Sequence, residues 1–293
     1  LEVAHFGSAP VENAIVYWKL VNERNEVMSE GTLQPQQVAV GNATPLGQIE
    51  MPLAKLPSPA KYKLVVEIAD TPFENDWDVW VYPSQLTAEP QADVLIVSEL
   101  NDDALDRLEQ GGKVLLMVPP TRVKGDSRGK VGLGFSSIFW NTVWTDRQLP
   151  HTLGILCDPK HPLFSSFPTE FHSNWQWWYL INRGGAMILD ELPTKLRPIV
   201  QVIDDWVTNR RLGLVFEAKL GAGKLLVSSI DLESDMDDDP VRRQFRHSLL
   251  KYMGSDEFAP EHEVTVEQVR ALMTPPSPMD RLGAIAGNRS RLG

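Results

Sequence analysis

Trp175, Trp177 and Trp178 crowd into four positions of the stretch FHSNWQWWYL, residues 171–180, beside His172, Asn174 and Gln176. An indole face stacks on the C–H face of a sugar ring, and neighbouring amide or imidazole groups hydrogen-bond its hydroxyls, so this inventory suits carbohydrate. The stretch FWNTVW, residues 139–144, adds Trp140, Asn141 and Trp144. The spacing also has a plainer meaning. Trp175 and Trp178 are three apart and would share one helical face, as a pair packed into a core would. Spacing alone favours packing over sugar stacking, and both readings stay open. The candidate carbohydrate or partner contacts are Trp140, Asn141, Trp144, His172, Asn174, Trp175 and Trp177.

Other reactive residue types lack the surroundings that reactivity needs. Cys157 is the single cysteine, which excludes an intrachain disulfide and a cysteine-based zinc site. His161 follows it by four residues, but no glycine-flanked elbow exposes the thiol, so a core position is expected. Ser136 has Gly134 before it and no glycine two residues after it, which does not match a nucleophile elbow. Asp204 and Asp205 adjoin in a predicted strand and therefore face opposite sides. The run DLESDMDDDP, residues 231–240, holds Asp235, Asp237, Asp238 and Asp239 but lacks the glycine and terminal glutamate of a calcium loop. It reads as a solvated loop favouring the N-terminus of the next helix. His151, His161 and His172 are too far apart in sequence for a local metal motif. No catalytic residue, metal or cofactor is expected in this chain.

The composition narrows the partners. A formal charge of -11 repels a phosphate backbone, and no basic, aromatic-interleaved stretch offsets it, so nucleic acid is not expected. No apolar run approaches the ~18 to 20 residues of a membrane span. No basic and then apolar leader opens the chain, and Leu1 in place of Met suggests a processed or excised part of a longer protein.

The elements that would position these residues fall into two domains. Residues 1–83 hold short β-branched or aromatic segments at 14–22, 26–33, 46–53, 62–69 and 77–83, separated by Pro, Gly, Asn and Asp. Leu64, Val66 and Ile68 share one face, and Trp77, Val79 and Val81 lie opposite Asp78, Trp80 and Tyr82. Such a meander suits an immunoglobulin-like β-sandwich. A polar, proline-containing linker follows at 84–92.

From residue 93 the pattern changes. DVLIVSEL and KVLLMVPP read as buried strands flanking a helix capped by Asn101 or Asp102 and ended by Gly111, the crossover unit of a parallel sheet. Segments 186–192, 198–206, 212–220 and 224–232 are expected to join that sheet. The glycine-rich LGAGKLL precedes a strand, so it predicts a hairpin turn instead of a phosphate loop. An amphipathic helix is predicted over 240–252, with Val241, Phe245, Leu249 and Tyr252 inward and Arg242, Arg243 and Arg246 toward the other side. The fold class is thus multidomain, β plus α/β: a sandwich followed by a flavodoxin-like three-layer α/β domain over 93–258. Residues 259–293 read as tail or linker.

NDWDVWVYP, the block FWNTVWTDRQLPHTLGILCDPKHPLFSSFPTEFHSNWQWWYL, and GAGKLLVSSIDLE with PVRRQFRHSLLKYM together resemble the C-terminal region of bacterial, β-galactosidase-like members of glycoside hydrolase family 2. The resemblance covers most of residues 10–258. It implies that a sugar-binding jelly roll, an immunoglobulin-like domain and a catalytic barrel precede accessory domains. The α/β part is similar to the glutamine-amidotransferase-like domain of other β-galactosidases, which serves assembly and has lost amidotransferase chemistry.

A retaining glycosidase needs two carboxylates held ~5 to 5.5 Å apart, and a barrel to hold them takes ~250 residues. This chain has no room for one. The expectation is a non-catalytic C-terminal accessory region of a glycoside hydrolase in polysaccharide breakdown, exported to the periplasm or secreted with its parent. It would brace the catalytic barrel of the same parent chain, contribute to substrate binding, or mediate homo-oligomer assembly. The alternatives are an autonomous carbohydrate-binding module and a free-standing α/β hydrolase or amidase.

Overall fold

The computed structural model describes residues 1–86, 93–135 and 148–275. The chain forms two compact units, Leu1–Gln85 and Leu86–Gly293. The β sheets dominate both, with a few helices in the second.

In the first unit, β1 (Glu2–His5) pairs with β6 (Gly41–Pro45), and β2 (Val11–Ala14) pairs with β5 (Gln36–Val38). A four-stranded antiparallel sheet runs in the order β4 (Val27–Thr32), β3 (Val16–Asn22), β7 (Ala60–Ile68), β8 (Glu74–Val81). Alternation along β7 turns Leu64, Val66 and Ile68 to one face, where they join Val16, Val38 and Leu46 in the core. The opposite face carries Lys61–Asp78 and Lys63–Asp76 ion pairs at 3.0 and 3.2 Å. Trp18 lies across Gly31 on the neighbouring strand, where an added Cβ would sit 2.7 Å from Trp18 Nε1.

The strand expected over 46–53 does not form. Gly47 takes φ +130°, the chain turns away after Leu46, and a 3-10 turn follows at Leu53–Lys55. β1, β2, β5 and β6 were not legible, being three to five residues long and largely polar.

In the second unit, β9 (Val94–Val97), β10 (Lys113–Met117) and β15 (Gly223–Ser228) are parallel. Beyond β15 the sheet becomes antiparallel through β14 (Leu212–Leu220), β13 (Val200–Asp204) and the edge strand β11 (Thr152–Cys157). β12 (Met187–Ile188) also pairs antiparallel with β14. The later segments therefore join a mixed sheet, which corrects the expectation of a parallel one. The predicted hairpin explains part of the change. β14 returns as β15 through Gly221 and Ala222, with Gly221 at φ +60°, so these two strands must run antiparallel.

Helices cover both faces of this sheet. α1 (Asp102–Glu109), capped by Asn101 accepting from the Ala104 N–H at 3.0 Å, places Ala104 and Leu108 over Leu116, Phe216, Ala218 and Val227. On the other face, Tyr252 of α3 (Pro240–Gly254) donates to Glu217 of β14 at 2.6 Å, and Lys113 of β10 donates to the Met253 carbonyl at 2.6 Å. α2 (Trp175–Ile181) packs beside α3. Residues 259–275, expected as tail or linker, instead build into this unit. α4 (Val266–Arg270) has a Thr265–Gln268 capping box, and Val264, Val269, Leu272 and Met273 are buried in the α1-side core. Among the described residues no helix is long and apolar enough to cross a membrane.

Candidate functional site

The site centres on α2, whose two faces do different things. Asn174 caps it: its Oδ1 accepts from the Gln176 N–H at 3.1 Å while its Nδ2 donates to Glu170 at 3.0 Å. From that start, positions 177, 180 and 181 turn inward at helical spacing. Trp177 is fully buried, edge-on to Phe164, Phe167 and Phe245, with Nε1 donating to Thr169 Oγ1 at 2.9 Å. Gln176 is buried too, its amide donating to the Pro168 carbonyl at 3.0 Å.

The opposite face, with Trp175, Trp178, Tyr179 and Asn182, is turned to solvent. Trp175 is 65% exposed and Trp178 43% exposed. They form one aromatic ledge with Phe135: Trp175 stacks on Phe135 at 5.1 Å and 26°, Trp178 meets it edge-on at 5.4 Å, and the two indoles lie 5.9 Å apart. Ser173 Oγ donates to the Phe135 carbonyl at 3.1 Å, which fixes that ring's backbone beside the helix start. His172 is exposed next to Phe171, with ring centroids 4.8 Å apart, on a short bridge to Leu156.

Trp178 and Tyr179 also wall a cleft of about 540 Å³, completed by Asn182, Arg183 and the loop carrying Asp235, Asp237 and Asp238. That loop is held from within by α3. The Arg242 guanidinium, side chain 1% exposed, donates to the carbonyls of Asp231, Ser234 and Asp235, each at 2.8 Å, and to the Asp239 carboxylate at 2.7 Å. Asp239 in turn caps α3 through the Arg242 N–H. With the carbonyls turned inward, Asp235, Asp237 and Asp238 are left exposed. The expectation that Arg242 points away from the core is thus corrected: the carbonyl-rich loop folds over it and satisfies its donors.

The predicted contacts divide accordingly. Trp175 and His172 are at the surface, and Trp178, singled out only as a partner for Trp175, is the second exposed indole. Asn174 is occupied as a helix cap, and Trp177 lies in the core where no ligand reaches, so its assignment as a contact is corrected. Trp140, Asn141 and Trp144 lie outside the described residues. Sequence spacing put Trp175 and Trp178 on one face and favoured the core for it, with the sugar-contact reading left open. Every residue from 177 to 181 is apolar or aromatic, so no polar residue marked the outside.

Ser136 lies outside the described residues, and the other groups weighed for rival chemistries are engaged in local structure. Cys157 is buried, its thiol donating to the Glu170 carbonyl at 3.2 Å, and burial pushes its pKa up to about 12. His161 Nδ1 accepts from the Leu163 N–H at 3.2 Å as a cap of a 3-10 turn, and burial lowers its pKa. Asp204 is locked to Arg210 at 2.8 Å, and Asp205 accepts from the N–H groups of Val207 and Thr208. Among the described residues no three His, Cys, Asp or Glu side chains are grouped so as to hold a metal ion.

Two families match the chain. One, described as a domain of unknown function (DUF8488), covers residues 1–83, and the other, described as a domain of unknown function (DUF8487), covers residues 95–274. No curated protein matches it. The second match spans more than half of the sequence and takes in α2, the aromatic ledge and the acidic loop: the chain belongs to the DUF8487 family.

Proposed function

We propose that this chain is a non-catalytic accessory region of a glycoside hydrolase acting in polysaccharide breakdown, and that it touches glycan through the outer face of α2. The observation that carries this reading is the ledge of Trp175 and Trp178 around Phe135. Two neighbouring exposed indoles, tilted 54° to one another, leave an apolar surface in water, and the C–H face of a sugar ring is a natural cover for it. The cleft alongside supplies Asn182, Arg183 and carboxylates within the same surface, donors and acceptors of the kind that hydroxyl groups use.

The glycosidase context rests on the resemblance of residues 10–258 to the C-terminal region of β-galactosidase-like proteins. Burial of Cys157 fits a non-catalytic role for an amidotransferase-like domain. Its three parallel strands, with helices on both sheet faces, are the part that supports a flavodoxin-like origin. The antiparallel β14, β13 and β11 are where it departs from one. The two-layered β packing around Val16, Val38 and Val66 supports an immunoglobulin-like reading of the first unit. The partner on this reading is the catalytic barrel of the same parent.

The test is a fluorescence titration of the 293-residue chain against plant and host polysaccharides. Saturable quenching by one glycan, weakened at least about tenfold in Trp175→Ala, is the expected result. Absence of quenching across the panel would remove the glycan role.

A further inference from the structure

We infer that the first unit carries a groove for an extended segment of a partner polypeptide in which apolar and basic side chains alternate. The groove has a volume of about 650 Å³ and lies between β1 and the beginning of β8. Its floor is the core itself, with Val11, Val38, Leu46, Val66 and Ile68 reaching it. Phe6, Phe73 and Trp77 stand at its walls, and Phe6 is 77% exposed. Exposed aromatic side chains above an accessible core form an apolar surface that calls for a cover.

Strand edges define what fits. Among the described strands, β1 pairs only with β6 and β8 only with β7, so each presents one free edge of backbone N–H and C=O groups. A segment that adds to β8 as a further strand satisfies those groups and sends every second side chain into the groove. Asn75 and Trp77 of β8 line that groove, so the incoming side chains beside them are apolar.

Charge on the other face specifies the remaining positions. By strand alternation the Glu74, Asp76 and Asp78 side chains leave β8 on the face opposite Asn75 and Trp77, and Glu74, at the start of the strand, also borders the groove. Asp76 and Asp78 are paired with Lys63 and Lys61 of β7, but Glu74 stands opposite Glu67 in the β7 register. Like charges directly across a ladder repel, and a Lys or Arg from the next strand out would relieve this pair. A second copy of this chain adding through its own β8 would bring another Glu74 and no base for it from that strand, since the lysines of the neighbouring β7, Lys61 and Lys63, already hold Asp78 and Asp76. The charge pattern therefore selects a different, basic partner strand.

The probe is a seven-residue alternating Val/Lys peptide, titrated calorimetrically into the full chain beside a peptide of the same composition with its Lys residues in one block. Saturable 1:1 binding is expected, with the block peptide at least about tenfold weaker and Glu74→Lys weakening the alternating peptide by a similar factor. Glu74 is exposed and its replacement removes a repulsion, so that variant keeps its fold, checked by circular dichroism. Equal binding of the two peptides would reduce the effect to attraction by the acidic chain and overturn the inference. So would an affinity unchanged in Glu74→Lys, or self-association through this face.

Discussion

Trp177 and Trp178 are adjacent on α2 yet meet different surroundings: Trp177 is fully buried against Phe245, and Trp178 is 43% exposed against Phe135. One helical step of about 100° separates a core anchor from a surface contact.

Their neighbours should separate in stability the same way. Trp177→Ala empties a site lined by Phe164, Phe167 and Phe245 and is expected to cost about 3–5 kcal/mol. Trp175→Ala removes a largely exposed side chain with its stacking on Phe135 and should cost only about 0.5–1.5 kcal/mol. Urea denaturation of both variants checks the contrast.

Arg242 should be the keystone of the acidic loop. Its removal takes the guanidinium donors from three carbonyls and from the Asp239 carboxylate, which keeps only the backbone N–H of residue 242, so Arg242→Met is expected to destabilise by about 3–5 kcal/mol. Hydrogen exchange should accelerate first over residues 231–239, where the loop loses its internal scaffold.

α1 sits closely enough on the sheet that one methyl group matters. An added Cβ at Gly223 would lie 2.6 Å from the Leu108 Cα, a backbone atom that cannot rotate aside. Gly223→Ala is expected to cost about 1–3 kcal/mol, read from thermal unfolding.

Acid should weaken the second unit through identifiable groups. Burial alone would raise Asp231, but hydrogen bonds from Ser234 and Glu233 and the Arg242 charge outweigh it and hold its pKa below 3.8. Its contribution is present above the unfolded value and lost as pH falls through the folded one. His161, lowered by burial, likewise contributes above 6.5 and loses that contribution as pH falls. Glu217 has the opposite sign: burial raises it above 4.5, so its contribution is present below 4.5 and lost as pH rises through the folded value. Stability measured against pH should show Asp231→Asn flattening the acid limb, while wild type weakens relative to Glu217→Gln as pH rises from 4.5.

Much of this architecture was legible in the sequence where a local rule specified it. Asn101 and Gly111 bracket α1, Gly221 makes the hairpin, and alternation along β7 sorts Leu64, Val66 and Ile68 inward. Strand direction was not legible beyond that hairpin, because an apolar run buries equally well in parallel or antiparallel company. Arg242 was misplaced because its partners are backbone carbonyls, which every sequence contains. The aromatic block located the candidate surface, but the order Trp175, Trp177, Trp178 could not say which indole the core would take. Phe164, Phe167 and Phe245, which close around Trp177, are remote enough in sequence that only the fold brings them together.

The most direct test of the glycan-contact account is native electrophoresis of the full chain in gels containing the polysaccharide selected by titration, with Trp175→Ala, Trp178→Ala and Trp80→Phe run alongside. Wild type and Trp80→Phe should be retarded, and both α2 variants should migrate as they do without glycan. Equal retardation of all four proteins would contradict the account and return the α2 indoles to a role without carbohydrate.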